Sequence, residues 1–500
     1  MSTQGASRRA ESAPHPLPQA ARDRWLSLDG RWEIVLEADS AARTITVPYA
    51  FEAALSGIGA GDETHEQVTY RRTFRVPESW AGGRVLLRFG GVDWRAAVHV
   101  DGEVVGTHEG GYAHFSFDLG ALEPGTEHEL VVHVDDPADD AAGQPKGKQR
   151  GSGGIWYTRT TGIWRSVWLE PVPDEYIVDA SLRVDVDGTV TAAPGVSVEV
   201  IGLAGPPRLW SPDDPFLYDV ELRLGDDLVR SYVGFRSIAR NGRELLLNGE
   251  PLRIAGVLDQ GFWPDGGYTA PSASALRADV EAAKALGFNL ARKHVKVEDP
   301  RWYAWCDRLG LLVAQDLPSS HDLSSVSARE GLQREWLEIV EQLSGHPSIV
   351  LWIPINEDWG EPPPQFQRSL VSETRLADPT RLVIDASGWK QLEDTDLVDV
   401  HDYGRALTQH AGRREDIPLW FGEVGGLSIG TGDFVYRHVR DLADGYRRLV
   451  EQIPADVAGF VWTQLTDVEG EQNGLLTHDR VHKTDGAVIR AANEAFRRSA

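Results

Sequence analysis

After about residue 250 the apolar residues stop alternating with polar ones and gather into short runs separated by helix-length stretches. The runs are "LRIAGVL" (252–258), "NLARKHV" (289–295), "LLVAQD" (311–316), "IVLWIPI" (349–355), "LVIDA" (382–386), "LVDVHDY" (397–403), "PLWFGE" (418–423) and "AGFVWTQL" (458–465). Continuously apolar segments of this length fit strands covered on both faces by helices, which is the habit of parallel sheets. Eight strand–helix units in about 250 residues is the size of a (β/α)8 barrel. The helices carry their own punctuation. Asp299 with Pro300 opens one and Gly310 can close it; Ser327 with Glu330 reads as a capping box, and Gly345 before Pro347 ends that helix. The unit after the fifth run is too short for a full helix.

Upstream the period is two. From residue 24 to 173, segments such as "TYRRTFRVP", "GRVLLRFGGV" and "HELVVHVDD" alternate between turn-forming pairs, as an antiparallel β-sandwich does. Asp101-Gly102 in "HVDGEVVG" signals a hairpin. Residues 174–240 continue in the same style, but about 67 residues fall short of the roughly one hundred of a seven-stranded sandwich, so a reduced domain with strands missing is expected. A second hairpin at Asn248-Gly249 leads into the barrel, taken as 241–500, and residues 1–23 read as a disordered leader.

The bulk numbers narrow the partners. With 41% hydrophobic residues and 17 Trp the chain is not disordered, and it holds no apolar run near the roughly eighteen residues of a membrane span. A formal charge of −26 repels phosphate backbones and anionic lipid, so neither nucleic acid nor a membrane is expected as a partner, and homo-oligomerisation is left open. Cys306 is the single cysteine, which excludes an intrachain disulfide and a thiolate metal cluster. The arginines near the N-terminus precede no apolar h-region, so a cytoplasmic location is expected. No phosphate-cradling glycine loop or convincing ligand cluster is present, and no metal or organic cofactor is expected.

In a (β/α)8 barrel the chemistry lies at the C-terminal ends of the strands. Here those ends read Asp259-Gln260, Lys293-His294, Asp316, Asn356-Glu357, Asp385, His401-Asp402-Tyr403, Glu423, and Gln464 to Asp467. Glu357 follows "LWIPIN" on the fourth strand and Glu423 ends "PLWFGE" on the seventh, across the mouth. Two carboxylates facing one pocket are the minimum equipment for cleaving a glycosidic bond. His294, His401 and Asp316 could form a metal site or a hydrogen-bonding network; the network is the more common outcome.

The chain resembles glycoside hydrolase family 2, the family of β-galactosidases, β-glucuronidases and β-mannosidases. "LDGRWEI" and "GIWYTRTTGIWRSVWLEPV" are similar to its sugar-binding sandwich. "LWSPDDPFLYDVEL", "VGFRSI" and "LLLNGEPLRIAGV" are similar to its immunoglobulin-like domain and barrel entry, and "GFVWTQLTDVEGEQNGLLTHDR" to its eighth-strand region. The resemblance runs from about residue 24 to 490.

It implies a jelly-roll-like sandwich, a reduced immunoglobulin-like sandwich and a TIM barrel. It also implies a retaining, exo-acting hydrolase of glycosides with Glu357 as general acid/base and Glu423 as nucleophile. Asn356 would hold the sugar 2-hydroxyl, Tyr403 would donate a hydrogen bond to Glu423, and Trp462 would offer a face to the sugar ring. His294 matches the histidine of the second-strand motif, in "RKHVKVE" where "SHYP" is more usual. The text after the first strand, "GVLDQGFWPDGGYTAPS", departs from the family's "GVN.H", so Asp259 and Trp263 are read from their position alone, as facing the sugar or as part of a structural loop; His401 is a further candidate sugar contact. A β-galactosidase-like activity is the first reading, because no Asn-x-Lys follows the nucleophile to grip a glucuronate. A furanosidase acting on galactofuranose or arabinofuranose is the second, and a carbohydrate-binding protein without turnover is a reading of another class.

Overall fold

The computed structural model describes residues 15–37, 41–61, 63–80, 82–138, 143–404, 414, 416–429 and 437–498. Three modules follow one another along the chain.

The first is a sandwich of two antiparallel sheets. Six strands pair in the order 43–47, 30–36, 67–75, 127–135, 95–100 and 103–109; four pair in the order 26–27, 167–172, 84–89 and 115–118. Alternate residues of each strand face inward, so Trp32, Ile34, Tyr70, Leu87, Phe89, Val98, Val132 and Leu169 share one core. The hairpin at Asp101-Gly102 forms as expected, with both residues at positive φ (52° and 86°).

Order begins earlier than the expected boundary at residue 24. Residues 1–14 lie outside the described residues, but 15–23 pack against all three modules. Ala21 bridges to Arg230, Gln19 Nε2 donates to the Gly345 carbonyl, and Arg22, only 6% exposed, donates to Glu170 and to both oxygens of Asp227. A buried guanidinium with two carboxylate partners supplies the fixed geometry that a polar, alanine-rich segment does not advertise.

The second module is reduced, as its length implied: a two-stranded ribbon (183–184 with 190–191) and a three-stranded sheet (197–200, 218–224, 227–233) enclose a small core around Ile177, Leu182, Val220, Leu222, Val229, Val233 and Phe235. Trp210 leaves that core, donates its Nε1 proton to the Asp307 carbonyl, and joins the apolar plug in the barrel. The Asn248-Gly249 hairpin then delivers the chain to the barrel.

The barrel strands are β1 (Ile254–Asp259), β2 (Leu290–Lys293), β3 (Leu312–Asp316), β4 (Ile349–Ile353), β5 (Leu382–Val383), β6 (Val398–Asp402), β7 (Leu419–Gly425) and β8 (Gly459–Thr463). All pair in parallel, continuously from β5 through β1 and β8 to β6. Among the described residues six helices cover them: α1 (Ala273–Ala285), α2 (Pro300–Leu309), α3 (Val326–Leu343), α4 (Pro364–Ala377), α5 (Leu442–Val450) and α6 (Gly486–Arg498). No helix lies between β5 and β6 among the described residues, and none in the structure is long and apolar enough to cross a membrane. Asp299 caps α2 and Gly310 closes it at φ 75°. The cap of α3 is Ser325, which accepts from Ala328 N; the expected Ser327 lies inside the first turn, because only Ser325 keeps the extended backbone a cap needs.

One excursion of the first sandwich reaches the barrel. The stretch between the strands ending at Asp135 and starting at Gly162 carries no strand of its own among the described residues and lies across the rim. The amides of Lys146 and Gly147 donate to the Ser319 carbonyl beyond β3, Gly147 presses against the Val295 carbonyl beyond β2, and Thr158 N donates to Glu469 beyond β8. Lys148 Nζ lies 3.0 Å from Glu471 Oε2 and 3.3 Å from the Tyr157 hydroxyl, which itself donates to Glu471. The rim from β8 past β1 and β2 to β3 is therefore walled by the sandwich.

Candidate active site

Asn356 and Glu357 leave β4 in a turn of unusual backbone. Glu357, Asp358 and Glu361 all have positive φ (49°, 62° and 49°), as does Gly360. For residues with a Cβ this costs of order 1 kcal/mol each and persists only where surroundings over-determine it. Here the Glu357 amide is held by the Ser387 carbonyl and Trp359 N by the Asn356 carbonyl.

Glu423 rises from β7 on the far side, 5% exposed. Among the described residues, Glu357, Glu423 and His401 form the one group of His, Cys, Asp and Glu donors that could hold a cation, with one ligand atom of each lying within 4.8 Å of the others.

Arg292, wholly buried on β2, ties the floor together. Its guanidinium donates to Asp316 (3.0 and 3.1 Å), Asn356 Oδ1 (2.8 Å), Ser387 Oγ (2.9 Å), the Gly422 carbonyl (3.1 Å) and Glu423 Oε1 (3.3 Å). Burial opposes its charge, but Asp316 and Glu423 hold it protonated above its usual range. Asn356 Oδ1 also accepts from Ser387 Oγ at 2.8 Å, while its buried Nδ2 has no partner. Tyr403, at the end of β6, donates to Glu423 Oε2 and lies 3.2 Å from Thr463 Oγ1.

The two carboxylates differ in their surroundings. Burial alone would raise Glu423, but the positive His401, His294 when protonated, Arg292 and the Tyr403 hydrogen bond outweigh it and bring its pKa to about 2. Burial pushes His294 down, so its share in lowering Glu423 is the first to fade as pH rises. His401 is lifted above its usual range: burial opposes this, and the charge of Glu423, the bond to Glu357 and Asp399 prevail. Its Nδ1 lies 2.5 Å from Glu357 Oε1 and 3.6 Å from Glu423 Oε1.

Of the residues expected at the site, Asn356, Glu357, His401, Tyr403 and Glu423 come together. His294 lies one layer behind, its Nδ1 2.9 Å from Asp316 Oδ2, in a hydrogen-bonding network. Asp259 is taken up internally: Oδ2 meets Lys293 Nζ at 2.7 Å and Oδ1 accepts from Gly261 N. Trp263 carries the Arg480 guanidinium 3.7 Å above its ring. Trp462 is fully buried with its centroid 4.4 Å from that of Tyr446, its Nε1 without a partner.

Sequence reasoning passed over Arg292, Ser387 and the sandwich loop. A charge inside the apolar run "NLARKHV", two residues before His294 and so on the same strand face, was the available signal for Arg292. For the loop it was a strandless stretch of more than twenty residues inside a β domain.

Family models match each of the three modules, the barrel as far as β6: "Glycosyl hydrolases family 2, sugar binding domain" over residues 16–173, "Glycosyl hydrolases family 2" over 170–236, and "Glycosyl hydrolases family 2, TIM barrel domain" over 238–410. A β-galactosidase of Thermoanaerobacter pseudethanolicus is 26% identical over 382 residues, covering 67% of this chain and 50% of its own. A β-glucuronidase of Canis lupus familiaris is 26% identical over 424 residues, covering 67% of this chain and 63% of its own. The chain thus spans about half to two thirds of the length of these relatives. A β-galacturonidase of Eisenbergiella tayi bound to galacturonate superposes with a TM-score of 0.78 at 20% identity, covering 94% of this chain and 97% of its own, which is a likeness of fold.

Proposed function

Because the chain belongs to glycoside hydrolase family 2, we propose that it is a retaining, exo-acting hydrolase that removes a terminal, β-galactoside-like sugar. The observation that carries this reading is the pairing of Glu357 with Glu423. One oxygen of each lies within 4.8 Å of one of the other, which favours the close pairing of retaining enzymes over the wider one of inverting enzymes.

Their unequal environments divide the labour. Glu423, held ionised, attacks the anomeric carbon as the glycosidic C–O bond breaks; the bonding electrons stay on the leaving oxygen, which takes the proton of Glu357. Water then gives a proton back to Glu357 and attacks the same carbon, and Glu423 departs as a carboxylate. Two inversions retain configuration. Arg292 and Tyr403 fix the nucleophile, and the free Nδ2 of Asn356 is available to the sugar 2-hydroxyl.

Buried polar atoms without partners also occur at the ends of β1 and β8, on Gln260 and on Gln464 Oε1. Such atoms are costly unless something bonds them, and a hydroxyl-rich ring does so. The walled rim between β8 and β3 supports exo action, since an uncleaved chain has no way out on that side.

The test is a panel of 4-nitrophenyl glycosides: β-galactoside, β-glucuronide, β-galacturonide, β-galactofuranoside and α-L-arabinofuranoside. Turnover of at least one, lost in Glu423→Ala, is expected. Silence across the panel would remove the hydrolase reading.

A further inference from the structure

A general acid must stand at the bond to the leaving group, so side chains flanking Glu357 face the departing half of the substrate. Tryptophans lie on both sides of it. Trp389, in the stretch after β5, is 49% exposed, and its centroid lies 5.8 Å from that of His401, which bonds Glu357. Its neighbour Lys390 pairs with Asp358, so this exposed ring is tethered to the acid/base turn.

On the other side Trp359 lies 5.1 Å from Trp156 and 5.4 Å from His321, and Trp156 lies 5.1 Å from His321. The three half-buried rings come from the β4 turn, the sandwich loop and the stretch beyond β3. They stand where the walled part of the rim ends and the open part begins.

We propose that Trp389, together with Trp156 and Trp359, forms the binding site for the leaving group, and that this group presents a flat ring, an aryl group or the face of a pyranose. Several indoles gathered at one rim offer apolar faces on which a ring can stack. Lys390, Asp358 and Arg150, whose guanidinium lies 5.0 Å above Trp156, ring the patch with groups suited to hydroxyls. The inference rests on the hydrolase reading, since it needs Glu357 to act on the leaving oxygen.

The experiment compares two substrates of whichever sugar the panel identifies: the 4-nitrophenyl glycoside, which has a ring to stack, and the glycosyl fluoride, which has none. In Trp389→Ala the ratio of kcat/KM for aryl glycoside over fluoride falls by about three- to tenfold, mostly through KM, and Trp389→Tyr restores most of it. Trp156→Ala moves the ratio in the same direction. Equal loss on both substrates, or no loss, overturns the subsite while leaving the hydrolase reading intact; a wild type silent towards the whole panel removes both.

Discussion

His401 Nδ1 lies 2.5 Å from Oε1 of Glu357, and the same nitrogen is 3.6 Å from Glu423 across the barrel mouth. One imidazole thus touches both carboxylates. It is wholly buried, with Nε2 3.3 Å from Arg292 Nη1, so its ring has little freedom to turn.

On the proposed reading, this contact makes His401 the group that positions the acid. In His401→Ala, kcat/KM falls by about ten- to a hundredfold on glycosides with poor leaving groups, and less on activated aryl glycosides, which need little protonation. A Brønsted series of aryl glycosides reads this as a steeper dependence on leaving-group pKa. Equal losses across the series would assign His401 a purely structural role.

The two glutamates separate by rescue. Glu423→Ala loses turnover of every glycoside, and azide restores it only by forming the inverted glycosyl azide. Glu357→Ala is mild on activated substrates and severe on poor leaving groups, and azide yields the retained product. Product anomers by NMR check this, and the opposite pattern would exchange the two roles.

Tyr403→Phe removes a hydrogen bond that favours the ionised form of Glu423, whose pKa is brought down to about 2. The sign follows: without the donor the carboxylate is easier to protonate, and the acid limb of the kcat/KM profile moves to higher pH. A fall in kcat of about a hundred- to a thousandfold, the loss expected for one preorganised donor, accompanies it. An unmoved acid limb would count against the contact.

Glu335 on α3 accepts from Tyr112 N at the seam between sandwich and barrel, and burial pushes it from its ordinary value of 4.5 up to about 8. The folded chain thus keeps a proton that the unfolded chain releases above 4.5, so stability drains as pH rises from about 4.5 to 8, by at most about 1.4 kcal/mol per pH unit from this group. Glu335→Gln keeps the accepting oxygen and flattens that slope, leaving the variant the more stable at pH 8 in denaturant titrations.

The barrel was legible because its runs are buried on both faces and so write themselves as unbroken apolar text. The carboxylate pair was legible because Glu357 and Glu423 each end such a run. What failed to show was direction. Asp259 ends a run as plainly as Glu423 does, yet it turns to Lys293, and nothing in "GVLDQG" tells a substrate contact from an ion pair. Ser327 and Ser325 offer the same hydroxyl, and only the backbone distinguishes cap from first turn. Residues 15–23 looked like a leader because their order comes from Asp227, Glu170 and Gly345, all remote in the chain.

Lys148 and Glu471, which join the sandwich loop to the stretch beyond β8, are 323 residues apart in the chain. A ribosome releases the loop early and its anchor late, so the growing chain holds a folded sandwich and most of a barrel long before the rim can close. Pocket assembly is thereby a late event of synthesis: in a nascent or prematurely ended chain the rim stays open until the stretch beyond β8 that carries Glu471 has been made.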